Sequence, residues 1–136
     1  MTKQHILYQE HPKDRWEHNG TLYDLNKIFE IVQDKEIISV PLTELYDQYR
    51  NSKKEIDGHL TCGSCFGQTK DFIKAKEVHQ ERVQNTDLSI PLILYKDGKK
   101  WRVVDGVHRL EKAILSQKES LPARVISSSE LEKTKA

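Results

Sequence analysis

Two Asp-Gly pairs, Asp97-Gly98 and Asp105-Gly106, divide residues 91–117 into three pieces, and this punctuation constrains the fold more than any other feature. Pro91-Leu92-Ile93-Leu94-Tyr95 is an apolar, β-prone run, and so is Trp101-Arg102-Val103-Val104. Two such runs around Asp-Gly read as a β-hairpin, because glycine reaches the positive φ that a tight turn between strands requires. After Asp105-Gly106 the apolar period changes from two to 3.6. Leu110, Ala113, Ile114 and Gln117 then share one face, which predicts a helix over Arg109–Gln117. The expectation is strand, hairpin, strand, sharp turn, helix.

The second junction has the chemistry of an anion site. Gly106 permits a sharp turn and a close backbone approach. The first amides of a helix lack intrahelical acceptors, and the helix dipole places partial positive charge there. Val107 lies in this turn, and His108 and Arg109 add side-chain donors, so phosphate is the ligand that fits best. Arg109 is expected on the solvent side of the helix start, where its loss would cost the fold within about 0.5 kcal/mol. Asp105 would repel an anion unless it holds Mg²⁺, orients an arginine or accepts a proton from a substrate hydroxyl. The plain structural alternative is that Asp105 caps the helix and Arg109 is a surface residue.

The remaining pattern is that of one α+β domain, with helices packed on a small mixed sheet. Leu25, Ile28, Phe29 and Val32 form a helical stripe, with Asp24 as candidate cap. Ile37-Ile38-Ser39-Val40 reads as a strand that Pro41 ends. Leu42–Leu45 turns into a short helix with Thr43 as candidate cap. Thr69–Asn85 reads as a helix whose one face carries Phe72, Ala75, Val78, His79, Arg82 and Val83. Ala123–Ile126 is a last strand after Pro122. Residues 1–20 are polar and read as a solvated arm, His5, His11 and His18 included; residues 21–128 make the domain, and 129–136 a polar tail.

Lysine and arginine number 22 against 21 acids, a net charge of +1, which offers no electrostatic footprint for wrapping duplex DNA. No apolar run approaches the roughly 18 residues of a membrane span, and Met1–Arg15 has no apolar signal core. A soluble cytoplasmic protein is expected, of unspecified oligomeric state.

Arg50–Gly67 is irregular and holds Cys62-Gly63-Ser64-Cys65. A lone Cys-x-x-Cys is a loop, a redox pair or half of a zinc site. Zinc needs four ligands, and His59 and His79 are the only available partners, so neither zinc nor a stable disulfide is expected. Gly67, Gln68 and Thr69 offer backbone amides and hydroxyls just before a helix N-terminus, suited to closing over a phosphate.

The order of these pieces resembles the ParB/sulfiredoxin superfamily. It is carried by Trp101-x-Val-Val-Asp-Gly-x-His-Arg-Leu-x-Lys-Ala, the strand beginning Leu121-Pro122-Ala123, and the opening Ile37–Leu45 segment. Small stand-alone ParB-like proteins are similar in more detail: a helical His-x-x-Arg (here His79 and Arg82) precedes Asp-Leu-Ser-x-Pro (here Asp87–Pro91) and then Asp-Gly-x-His-Arg (here Asp105–Arg109). The resemblance covers Leu25 to Ile126. It implies a compact mixed-sheet domain whose turn touches the phosphates of ATP, ADP or CTP. It implies phosphate contacts at Gly106, Val107, His108 and Arg109, with His79 and Arg82 reading either as pocket residues or as satisfied core. Two departures narrow the expectation. Val107 stands where sulfiredoxins carry their nucleophilic cysteine, so that chemistry is not expected. The turn is not the Gly-Glu-Arg-Arg of ParB partition proteins, and the chain stops soon after it.

The leading expectation is a nucleotide-dependent phosphotransferase or nucleotide hydrolase acting with a small-molecule substrate. Asp105 (as Mg²⁺ ligand or base) and His108 are its candidate catalytic residues. The rivals are a non-catalytic ligand-sensing or protein-interaction module and a nuclease-like domain acting on nucleic acid.

Overall fold

The computed structural model describes residues 15–52, 54–56, 59–61 and 72–136. Strands β1 (Arg15–His18) and β2 (Thr21–Asp24) are followed by helix α1 (Leu25–Val32), strand β3 (Ile38–Pro41), a 3-10 turn (Leu42–Glu44) and α2 (Tyr46–Ser52). Next come the short strands β4 (Lys54–Ile56) and β5 (His59–Thr61), then α3 (Phe72–Asn85), β6 (Leu92–Asp97) and β7 (Lys100–Asp105). Helix α4 (Val107–Leu115), β8 (Ser120–Ile126) and α5 (Ser128–Glu132) complete the chain. The main sheet is mixed, in the order β3-β8-β6-β7: β6 runs antiparallel to β7 and parallel to β8, and β3 runs antiparallel to β8. The fold is α+β, as expected.

This sheet has a core on each face. On one side Leu92 and Leu94 of β6 and Leu121 and Ala123 of β8 meet Leu45, Leu110 and Ala113. On the other, Ile93 and Val104 meet Tyr23, Ile28, Val32, Ile126 and Leu131. Strand β6 is therefore buried on both faces, which is why its sequence is a continuous apolar run without alternation. Strand β7 is an edge and does alternate. Trp101 and Val103 face the α2/α4 side and Val104 the other, so period two sends Asp105 to the α4 side as well.

The β6–β7 hairpin closes on Gly98 and Lys99, with Asp97 paired to Lys100. Gly98 has φ +62° while Lys99 stays at negative φ, the pattern of a type II′ turn. Asp24 caps α1, accepting from the amides of Asn26 and Lys27. Thr43 lies inside the 3-10 turn, which starts from Pro41 without a side-chain cap. Phe29, expected in the α1 stripe, is exposed while Ile28 and Val32 are buried. Strand β8 begins at Ser120 and includes Pro122, because β6 joins it only from Ala123 onward and the earlier stretch has an open side.

Residues 15–20 and 129–136 differ from the polar arm and tail that composition suggests; residues 1–14 of the arm, His5 and His11 included, lie outside the described residues. Residues 15–24 form a hairpin whose Asn19-Gly20 turn has both residues at positive φ, the type I′ requirement. Its Trp16 and His18 stack, with ring centroids 5.2 Å apart, and His18 Nε2 lies 3.3 Å from Asp97 Oδ2. At the other end Leu131 and Thr134 are buried, and the chain bonds back onto β2 through Asp24 N to Thr134 O (2.6 Å) and Ala136 N to Leu22 O (3.0 Å). Polar residues alternate with the few apolar ones here, and pairing to a neighbour supplies the burial that local composition does not. No helix among the described residues is long and apolar enough to cross a membrane.

Candidate functional site

The Asp105–Arg109 turn joins the end of edge strand β7 to α4. Gly106 is the N-cap residue, with φ +117°. A Cβ there would overlap Leu92 Cδ2 and sit 3.0 Å from Arg109 Nη2, so both the backbone conformation and the space demand glycine. No side chain caps the helix. The Leu110 amide bonds the Gly106 carbonyl at 2.9 Å, which starts the helical ladder directly after the turn.

Asp105 therefore does not cap α4; it pairs with an arginine. Its Oδ2 accepts from Arg109 Nη2 at 2.8 Å. Arg109 itself corrects the expectation of a solvent-facing side chain. It is 8% exposed, and its Nη1 donates to the carbonyls of Ile90 (3.3 Å) and Pro91 (3.2 Å). The guanidinium fork thus fastens the start of α4 to the residues leading into β6 and balances the carboxylate at the end of β7. Asp105 keeps a half-exposed side chain.

The second part of the site lies between α3 and α4. His79 and Glu111 are both buried, and His79 Nε2 lies 2.9 Å from Glu111 Oε1. The half-buried His108 ring packs on His79, with centroids 5.0 Å apart and planes tilted by 54°. Arg82, one helical turn beyond His79, is half-buried on the same face of α3. Lys112 Nζ donates to the carbonyls of Gln84 (3.0 Å) and Thr86 (2.8 Å), placing a cation on the open C-terminal carbonyls of α3.

The fold thus gathers Asp105, Gly106, Val107, His108, Arg109 and His79 around the first two turns of α4, with Arg82 half-buried one helical turn further along α3. Gly67, Gln68 and Thr69, and both cysteines, lie outside the described residues. Glu111 is the residue that sequence reasoning missed. It follows Leu110 on the helix and nothing local marks it as buried; only the approach of α3, 32 residues earlier in the chain, makes it so. Among the described residues no group of three histidine, cysteine, aspartate or glutamate side chains is placed to hold a metal ion.

No family model, curated protein or solved structure matches this chain.

Proposed function

We propose that this chain is a ParB/sulfiredoxin-like domain that binds a nucleotide through its phosphates at the N-terminus of α4 and promotes phosphoryl transfer or hydrolysis there. The observation that carries the reading is the uncapped, glycine-led start of α4 beside an aspartate whose charge Arg109 already balances. An uncapped helix start attracts a phosphate, and the Asp105–Arg109 pair removes the repulsion that a bare carboxylate would set against it. The side chain at the turn that serves the ligand is His108; Arg109 shapes the turn rather than reaching outward.

Mg²⁺ fits this turn only as a largely phosphate-borne ion. Asp105 is the one carboxylate of the Asp-Gly-x-His-Arg motif, and one of its oxygens is engaged by Arg109. A single carboxylate oxygen plus phosphate oxygens and waters is an ordinary Mg²⁺ set. When bound, the ion would neutralise charge on the transferring phosphoryl group.

The inward Arg109 also favours a second reading, a binding module in which Asp-Gly-x-His-Arg is chiefly a structural clasp. Calorimetric titration with ATP, ADP, CTP and GTP, with and without Mg²⁺, tests binding, and phosphate release from the same samples tests catalysis. Binding with turnover is the expected result. Binding without turnover leaves the module, and no binding at millimolar nucleotide refutes the phosphate site.

A further inference from the structure

Glu111 and His79 have no part in the nucleotide contacts just described, yet they form a buried carboxylate–imidazole pair directly behind His108. Burying two ionisable groups is costly unless they are paired and hydrogen-bonded. Here the Nε2–Oε1 distance is 2.9 Å, with relative side-chain exposures of 4% and 9%. One proton lies between Nε2 of His79 and Oε1 of Glu111, and this hydrogen bond fixes the orientation of the His79 ring from behind. His79 in turn packs its ring on His108, which is half-buried at the mouth of the turn. Glu111 and His79 are thus buried and the half-buried His108 stands between His79 and the helix start proposed for phosphate.

We propose that Glu111 and His79 are positioning residues for His108, and that His108 is the proton acceptor of the reaction. The inference rests on the reading of α4 as a phosphate site. The acceptor is a hydroxyl group, of water or of a small alcohol. Its O–H bond breaks and the proton passes to a ring nitrogen of His108. Its oxygen bonds to the terminal phosphorus of the nucleotide. The bridging P–O bond then breaks, and its electron pair stays on the departing nucleotide phosphate. Histidine suits this role because an unprotonated ring nitrogen can take a proton within hydrogen-bond reach and release it again. A base oriented by a second group, itself held by a third, is the general arrangement by which such a proton acceptor is kept in one geometry.

The test uses the full chain and three variants, Glu111→Gln, His79→Gln and His108→Gln. The first readout is the ¹⁵N spectrum of the imidazoles, which reports ring protonation without any ligand. The His108 tautomer ratio is expected to change in Glu111→Gln. The second readout is nucleotide affinity against phosphate release. Glu111→Gln should bind nucleotide within about twofold of wild type while turnover falls, and His108→Gln should lose about a hundredfold of turnover, well beyond whatever nucleotide affinity goes with its phosphate contact. His108→Gln leaves the buried pair intact, so it remains informative if either buried variant fails to fold. An unchanged His108 spectrum in a folded Glu111→Gln overturns the positioning role. Full turnover in His108→Gln overturns the proton acceptor. Failure of the wild type to bind nucleotide overturns the phosphate site instead, and the spectra alone then judge the Glu111–His79–His108 coupling.

Discussion

Replacing Arg109 with alanine should unfold the turn before it reports on any ligand. Three hydrogen bonds disappear: one to Asp105 at 2.8 Å, and two to the carbonyls of Ile90 and Pro91. All three involve the charged guanidinium; the short bond to Asp105 contributes about 1.5–3 kcal/mol net, and the two longer contacts, at 3.3 and 3.2 Å, less, about 0.5–1.5 kcal/mol each. Their sum is an upper bound, because water can replace part of the Asp105 interaction: that side chain is 47% exposed. The expected loss is about 2–4 kcal/mol, just below the range for breaking a fully buried ion pair. For a chain of this length that lowers Tm by about 3–4 °C per kcal/mol, or about 6–16 °C in all. Thermal and urea denaturation followed by circular dichroism measures it, with Arg109→Lys as a partner variant that keeps the charge and loses the planar fork. Arg109→Lys should fall between alanine and wild type. If Arg109→Ala melts within 2 °C of wild type, roughly the 0.5 kcal/mol of a surface change, and loses nucleotide affinity tenfold, the guanidinium faces solvent and the clasp argument is wrong.

Gly106→Ala should destabilise by about 2–5 kcal/mol, combining a left-handed backbone on a non-glycine residue with overpacking against Leu92 and Arg109; a variant as stable as wild type in urea would contradict the geometry of the turn. Lys112→Met keeps the aliphatic stem and removes the donor to the Gln84 and Thr86 carbonyls. It should cost about 1–2 kcal/mol, with faster amide exchange at the C-terminal turn of α3 as the local signature. The Lys35 ammonium beside Glu130, and then the Ser127 amide, hold the Glu130 carboxyl below the usual glutamate range. A depressed carboxylate contributes stability above its unfolded pKa, lost as the pH falls through the folded one. Glu130→Gln should therefore be less stable than wild type by under about 1 kcal/mol at pH 7. The gap should close as the pH drops below about 4, and an equal gap at pH 7 and pH 3 would refute the ion pair.

Periodicity and turn chemistry were enough to read the centre of this protein from its sequence. The Asp97-Gly98 hairpin, the change to period 3.6 after Gly106 and the Asp24 cap are local, and each follows from φ preferences and from alternation along a few residues. Asn19-Gly20 was equally legible and was masked by the polar composition around it. What no local pattern could decide was direction. Arg109, Glu111 and Lys112 are consecutive or nearly so on α4, and all are charged. Which of them turns inward depends on the Ile90 and Pro91 carbonyls, on His79 and on the end of α3, partners 18 to 32 residues away in sequence. A charged side chain enters the interior only where such partners satisfy it, so the sequence alone determined where the turn lies, and only the tertiary packing decided that its arginine points inward and that a buried glutamate and histidine stand behind its other histidine.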